Sequence, residues 1–124
     1  MIVHTILYVS DQKRSTDFYS FVLGMTPMLD VPGMTEFKLS DKHILGLMPE
    51  TGIKRLLGDK LPDPSKARGI PRAELYIRVT DPEAMFRRAT EVGAIELSPI
   101  LKRDWGDRAG YVLDHDGHVL AMAT

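Results

Sequence analysis

Two residues with chemical potential occupy matching places in similar stretches of this chain. His4 opens H-T-I-L-Y-V-S-D, and Glu74 opens E-L-Y-I-R-V-T-D. A histidine and a carboxylate that converge in a pocket can hold a divalent metal or share acid–base work. Equally, His4 could be a strand-end surface residue and Glu74 could pair with Arg72 or Arg78. A second group, His115 and His118 with Asp114 and Asp116, sits in D-H-D-G-H. That spacing could bind metal, but Asp and Gly are also what a tight turn needs, and the turn is the expectation. His43 follows an Asp-Lys turn and is expected to be exposed.

The elements that carry these residues repeat. Each of the two matching stretches alternates as a strand and ends in Val, a hydroxyl residue and Asp. Each then opens a helix. Thr80 is expected to cap the second helix, with Glu83 completing a capping box and Pro82 in the first turn. Met85, Phe86, Ala89 and Val92 form its apolar stripe, and Gly93 ends it. In the first copy Ser10 is the expected cap. Phe18, Phe21 and Val22 lead the apolar face, and Gly24 stops the helix. Three strands should follow each helix, near 26–31, 35–40 and 43–48 in the first copy and 95–102, 108–113 and 118–123 in the second. The fold class read from this order is α+β. Two tandem βαβββ modules, 1–50 and 72–124, form a curved, partly open mixed sheet around a cavity, with helices outside.

Residues 51–71 join the modules within one domain of 124 residues. Between Lys54 and Arg72 lie six basic and two acidic residues. A solvated linker is the expectation, and a lid or basic rim for an acidic ligand is the alternative.

Strand alternation sorts the faces. Leu7, Val9, Leu75, Ile77, Leu45, Leu47, Leu120 and Met122 should meet the helices. His4, Ile6, Tyr8, Glu74, Tyr76, Arg78, Ile44, Gly46, Met48, Val119, Ala121 and Ala123 should face the cavity. Composition bounds the rest. The net charge is −1 and there are no cysteines. No broad basic field invites nucleic acid, and thiolate chemistry is excluded. No apolar run spans a membrane, and the first residues lack a signal-peptide pattern. A cytoplasmic protein without nucleic-acid or membrane partners is expected.

Three segments together resemble the vicinal oxygen chelate superfamily, the glyoxalase, bleomycin-resistance and extradiol-dioxygenase group. They are His4–Gly24, Glu74–Gly93 and the run from Trp105 through Tyr111 and D-H-D-G-H to Leu120. The resemblance implies four metal places, on the first and last strand of each module. These fall on His4, Gly46, Glu74 and Ala121. Gly46 and Ala121 cannot ligate, and a catalytic zinc normally takes about three protein ligands. The expectation is therefore a small-molecule-binding protein without a resident cofactor, of a protective or resistance-related kind. Its pocket would be lined by Tyr8, Phe37, Met48, Tyr76, Trp105 and Tyr111. The seven methionines suit adaptable packing. The alternative is a divalent-metal lyase or dioxygenase that uses His4 and Glu74. Metal-free acid–base catalysis by the same pair is a further possibility. The resemblance also implies a homodimer.

Overall fold

The computed structural model describes all residues from Met1 to Thr124. The chain forms two compact units, Met1–Ser20 with Gly24–Arg68, and Phe21–Leu23 with Gly69–Thr124. In the first, β1 (Val3–Val9) leads into α1 (Gln12–Leu23). The strands β2 (Leu29–Val31), β3 (Met34–Ser40) and β4 (His43–Pro49) follow. The second unit repeats this with β5 (Glu74–Arg78), α3 (Pro82–Glu91), β6 (Ile95–Lys102), β7 (Arg108–Leu113) and β8 (Val119–Ala123). Each sheet has four strands, ordered β1-β4-β3-β2 and β5-β8-β7-β6. The first strand of each runs parallel to the last, and the remaining pairs are antiparallel. The βαβββ order expected from the sequence is thus present twice. The first post-helix strand is shorter than expected, beginning at Leu29.

The helix starts fall one residue later than expected. Asp11 Oδ1 accepts the Arg14 N–H at 3.0 Å, and Asp81 Oδ1 accepts the Ala84 N–H at 2.9 Å. Pro82 occupies the first helical position, where a missing N–H costs nothing, so the residue before it must be the cap. Glu83 is then not a capping-box partner. Its carboxylate pairs with Arg108 of β7, and that hydrogen bond holds it below the usual carboxylate range. In α1 the buried hydrophobic residues are Phe18, Tyr19 and Val22, while Phe21 is exposed. The segment after β4 is more ordered than a linker. It contains α2 (Glu50–Leu57), which packs on β1 and β4 through buried Ile53, and then two 3-10 turns.

Register and burial fix which face each residue takes. In the first sheet Thr35 pairs with Leu47 and Phe37 with Leu45, and all four are fully buried. Thr16 of α1 bonds Thr35 at 2.8 Å, so the helix covers this face. In the second sheet a Cβ at Gly110 would lie 2.9 Å from the Phe86 ring of α3. Gly110, Met122, Leu120 and Val112 therefore form the helix-side face. The core positions expected at Leu45, Leu47, Leu120 and Met122 are all fully buried.

Candidate functional site

On the first sheet, His4, Ile6 and Tyr8 project opposite to the core face. Ile6 pairs with Gly46 and Tyr8 with Met48, and Gly46 pairs with Glu36 of β3. His4 Nδ1 stands 3.7 Å from Glu36 Oε1, an ion pair when the imidazole is protonated. Glu36 did not emerge from the sequence. Its nearness to His4 depends on the register of β3 against β4, and a lone Glu in M-T-E-F-K-L-S carries no local signal for that register. Of the wall residues expected in this module, Tyr8 and Met48 lie side by side on the His4 face. Phe37 does not. It points to the helix side and is 0% exposed, so it belongs to the core.

His43 is half-buried, and its Nε2 lies 2.8 Å from the Thr5 hydroxyl. A cleft of about 580 Å³ also opens in this unit. It lies at the start of α1 and the β2–β3 turn, among Asp11, Gln12, Asp17, Asp30 and Val31. Gln12 ties that region together by donating to Val31 O and Thr35 Oγ1 and accepting from Gly33 N–H. The cleft is on the helix side, away from His4 and Glu36.

The second sheet carries a denser constellation. Glu74, Tyr76 and Arg78 alternate onto the face opposite α3. Tyr76 pairs with Ala121, which pairs with Tyr111. The loop between β6 and β7 folds onto this face. Trp105 Nε1 donates to the Tyr76 hydroxyl at 3.1 Å, and that hydroxyl donates to Asp107 Oδ2 at 2.7 Å. The Arg78 guanidinium reaches the same Oδ2 at 2.9 Å. Asp107 is buried, whereas Trp105 keeps 57% exposure. The Arg103 guanidinium lies 5.1 Å from the Tyr111 ring centroid and donates to Ala109 O and Ser98 Oγ. Three of the expected wall residues, Tyr76, Trp105 and Tyr111, thus meet on one surface. Arg78, expected on the cavity face, and Asp107, for which the sequence offered no site role, are the polar members of this surface.

Lost hydration raises the Tyr76 hydroxyl above its ordinary value of 10.0, and Asp107 adds to the rise while the Trp105 donor opposes it. A group that holds its proton more tightly when folded contributes stability below its unfolded value. That contribution is lost as pH climbs through the folded value. Wild-type protein should therefore lose stability more steeply above pH 10.0 than Tyr76→Phe. Thermal unfolding from pH 8 upward, on the order of three more units, measures this. Parallel pH profiles would contradict it.

The four places that the resemblance marks for metal do not supply a complete donor set. A Cβ at Gly46 would lie 3.1 Å from Ile6 Cγ1 and 3.3 Å from Met34 Sδ, so neighbours already crowd that place. Ala121 is fully buried between Tyr76 and Tyr111 in register. His4 and Glu74 belong to different units. In the D-H-D-G-H segment, Asp114, Asp116 and His118 bring ligand atoms within 4.8 Å of one another. The geometry is that of a turn. Asp114 Oδ1 accepts the N–H groups of Asp116 and His118, its Oδ2 lies 2.9 Å from His118 Nδ1, and Gly117 takes φ +85°.

Known proteins share this architecture. A solved glyoxalase-related enzyme from Fulvimarina pelagi superposes with a TM-score of 0.83 at 21% identity, covering 99% of this chain and 86% of that one. TioX from Micromonospora sp. ML1 gives 0.74 at 20% identity over 99% of this chain and 97% of its own. Both likenesses concern the fold. Uncharacterized proteins of Mycobacterium bovis and Mycobacterium tuberculosis are 30% identical over 116 residues, which is 90% of this chain and 75% and 67% of theirs. The sequence profile of the Glyoxalase/Bleomycin resistance protein/Dioxygenase superfamily matches residues 1–122. With the doubled βαβββ unit and its site geometry in place, that match means that this chain belongs to the Glyoxalase/Bleomycin resistance protein/Dioxygenase superfamily.

Proposed function

We propose that this protein binds a small, largely apolar molecule against the helix-free face of its second sheet, without using a metal. One observation carries the reading. The Trp105 indole is fixed by a hydrogen bond from its N–H to Tyr76, yet the residue stays 57% exposed. An indole whose polar edge is already satisfied presents a large apolar surface whose ordering has been met in advance, which favours binding. Ala121 lies between Tyr76 and Tyr111 in register, at one of the places that the resemblance marks for a metal ligand. The physiological role that fits is protective, by sequestering a toxic compound. The setting that fits is a cytoplasmic homodimer.

A thermal-shift screen with hydrophobic antibiotics, glutathione adducts and catechols tests the reading. A bound ligand raises apparent stability by mass action, about 2.7 kcal/mol at a hundredfold excess over Kd. Trp105→Ala should abolish the shift for any hit while leaving the unliganded protein within about 0.5 kcal/mol of wild type. A hit that survives Trp105→Ala unchanged would place binding elsewhere.

The second reading, a divalent-metal lyase or dioxygenase, draws support from Glu36 beside His4. These two side chains put two donors on the first sheet.

A further inference from the structure

Arg78 is held in place more firmly than an exposed arginine on a strand end requires. Its Nη2 contacts Asp107 Oδ2 at 2.9 Å, and the Asp107 side chain is only 12% exposed. Asp107 is fixed in turn by the Tyr76 hydroxyl at 2.7 Å. Yet the Arg78 side chain remains 70% exposed. A guanidinium carries five N–H donors in a rigid fork, and one contact with Asp107 leaves most of them open. Asp107 accepts from both a phenol and a guanidinium, so its charge is already shared. The acid next nearest along β5 on this face, Glu74, is four residues away, about 13 Å along an extended strand. The other guanidinium here, Arg103, is bonded to neutral oxygens of Ser98, Pro99 and Ala109.

Three contacts in series, at 3.1, 2.7 and 2.9 Å, link the indole N–H to the guanidinium. An apolar surface and an oriented, unsaturated cation are therefore neighbours. From this juxtaposition we infer that the ligand is an aromatic or polycyclic acid, with its ring system on Trp105 and its carboxylate on the free edge of Arg78. The inference rests on the binding reading above and adds the chemical class of the ligand. Charge-assisted pairs of this kind are about twice as strong as neutral hydrogen bonds.

A matched pair of probes tests it: naphthalene-2-carboxylate and naphthalene-2-carboxamide, titrated calorimetrically into the full chain. Wild-type protein should bind the carboxylate about tenfold more tightly than the amide, and added salt should narrow the gap. Arg78→Gln should bring the two within about twofold, with the larger loss falling on the carboxylate. Arg78→Lys should restore part of the preference, because it keeps the charge and loses the fork. Near-ultraviolet circular dichroism of each variant verifies that the Trp105 environment persists. Equal wild-type affinities, or a gap that survives Arg78→Gln, would overturn the acid class and leave the binding reading standing. Binding of neither probe would overturn both.

Discussion

Phe37→Ala should destabilise the protein by about 4 kcal/mol, with the loss seen in urea unfolding rather than in ligand selectivity. Phe37 is fully buried and lies opposite Leu45 on the face that Thr35 and Thr16 tie to α1. Truncating it removes the transfer free energy of an aromatic ring and leaves a cavity that the surrounding strands cannot close. For a domain of this size that is a large fraction of total stability. Trp105→Ala is the contrasting case, since its ring is largely exposed and its loss should be felt mainly in binding. A Phe37→Ala protein with near-wild-type stability but lost ligand response would return Phe37 to the pocket wall.

Gly117→Ala should cost about 3 kcal/mol and lower the melting temperature by about 10 °C. Two effects add. Gly117 has φ +85°, where a Cβ is strained whatever the surrounding space. That Cβ would also fall 2.3 Å from the Gly69 carbonyl oxygen and 2.5 Å from Gly69 Cα. Backbone cannot swing aside as a flexible side chain can. The chain at Gly69 must leave the Asp114–Gly117 turn, and faster proteolysis near Gly69 should accompany the destabilisation. Gly33→Ala isolates the first effect, because Gly33 has φ +97° with nothing within 4 Å of its Cβ position. It should cost about 1 kcal/mol. Equal losses in the two variants would mean that the Gly69 contact carries no weight.

The doubled module was legible because two stretches share a strand pattern ending in Asp before a helix. Alternation then assigned the faces of β1, β4, β5 and β8, with polar or small residues such as His4, Gly46, Glu74 and Ala121 marking the face opposite the large aliphatic ones. It failed at β3. Residues Met34, Phe37 and Leu39 do not share one parity, and the pairing with β4 shifts between Lys38 and Ser40. A strand with a broken period gives no phase, so Phe37 stood among the expected wall residues without a face and Glu36 carried no signal. The helix caps were ambiguous for a different reason. Ser10-Asp11 and Thr80-Asp81 each offer two adjacent residues able to cap. The chain Trp105–Tyr76–Asp107–Arg78 was legible only in part. Tyr76 and Trp105 stand out as aromatics, but a contact across about thirty residues is set by how the β6–β7 loop folds back, which is a tertiary matter.

Metal content measured by elemental analysis, on protein purified without chelator and then supplemented with Ni²⁺, Zn²⁺, Mn²⁺ and Fe²⁺, tests the central claim most directly. The expected result is well below one ion per chain for each metal, with ligand affinity at Trp105 unchanged by chelator. One ion per chain, lost on His4→Ala or Glu36→Gln, would contradict the metal-independent account and put the chemistry on the first sheet.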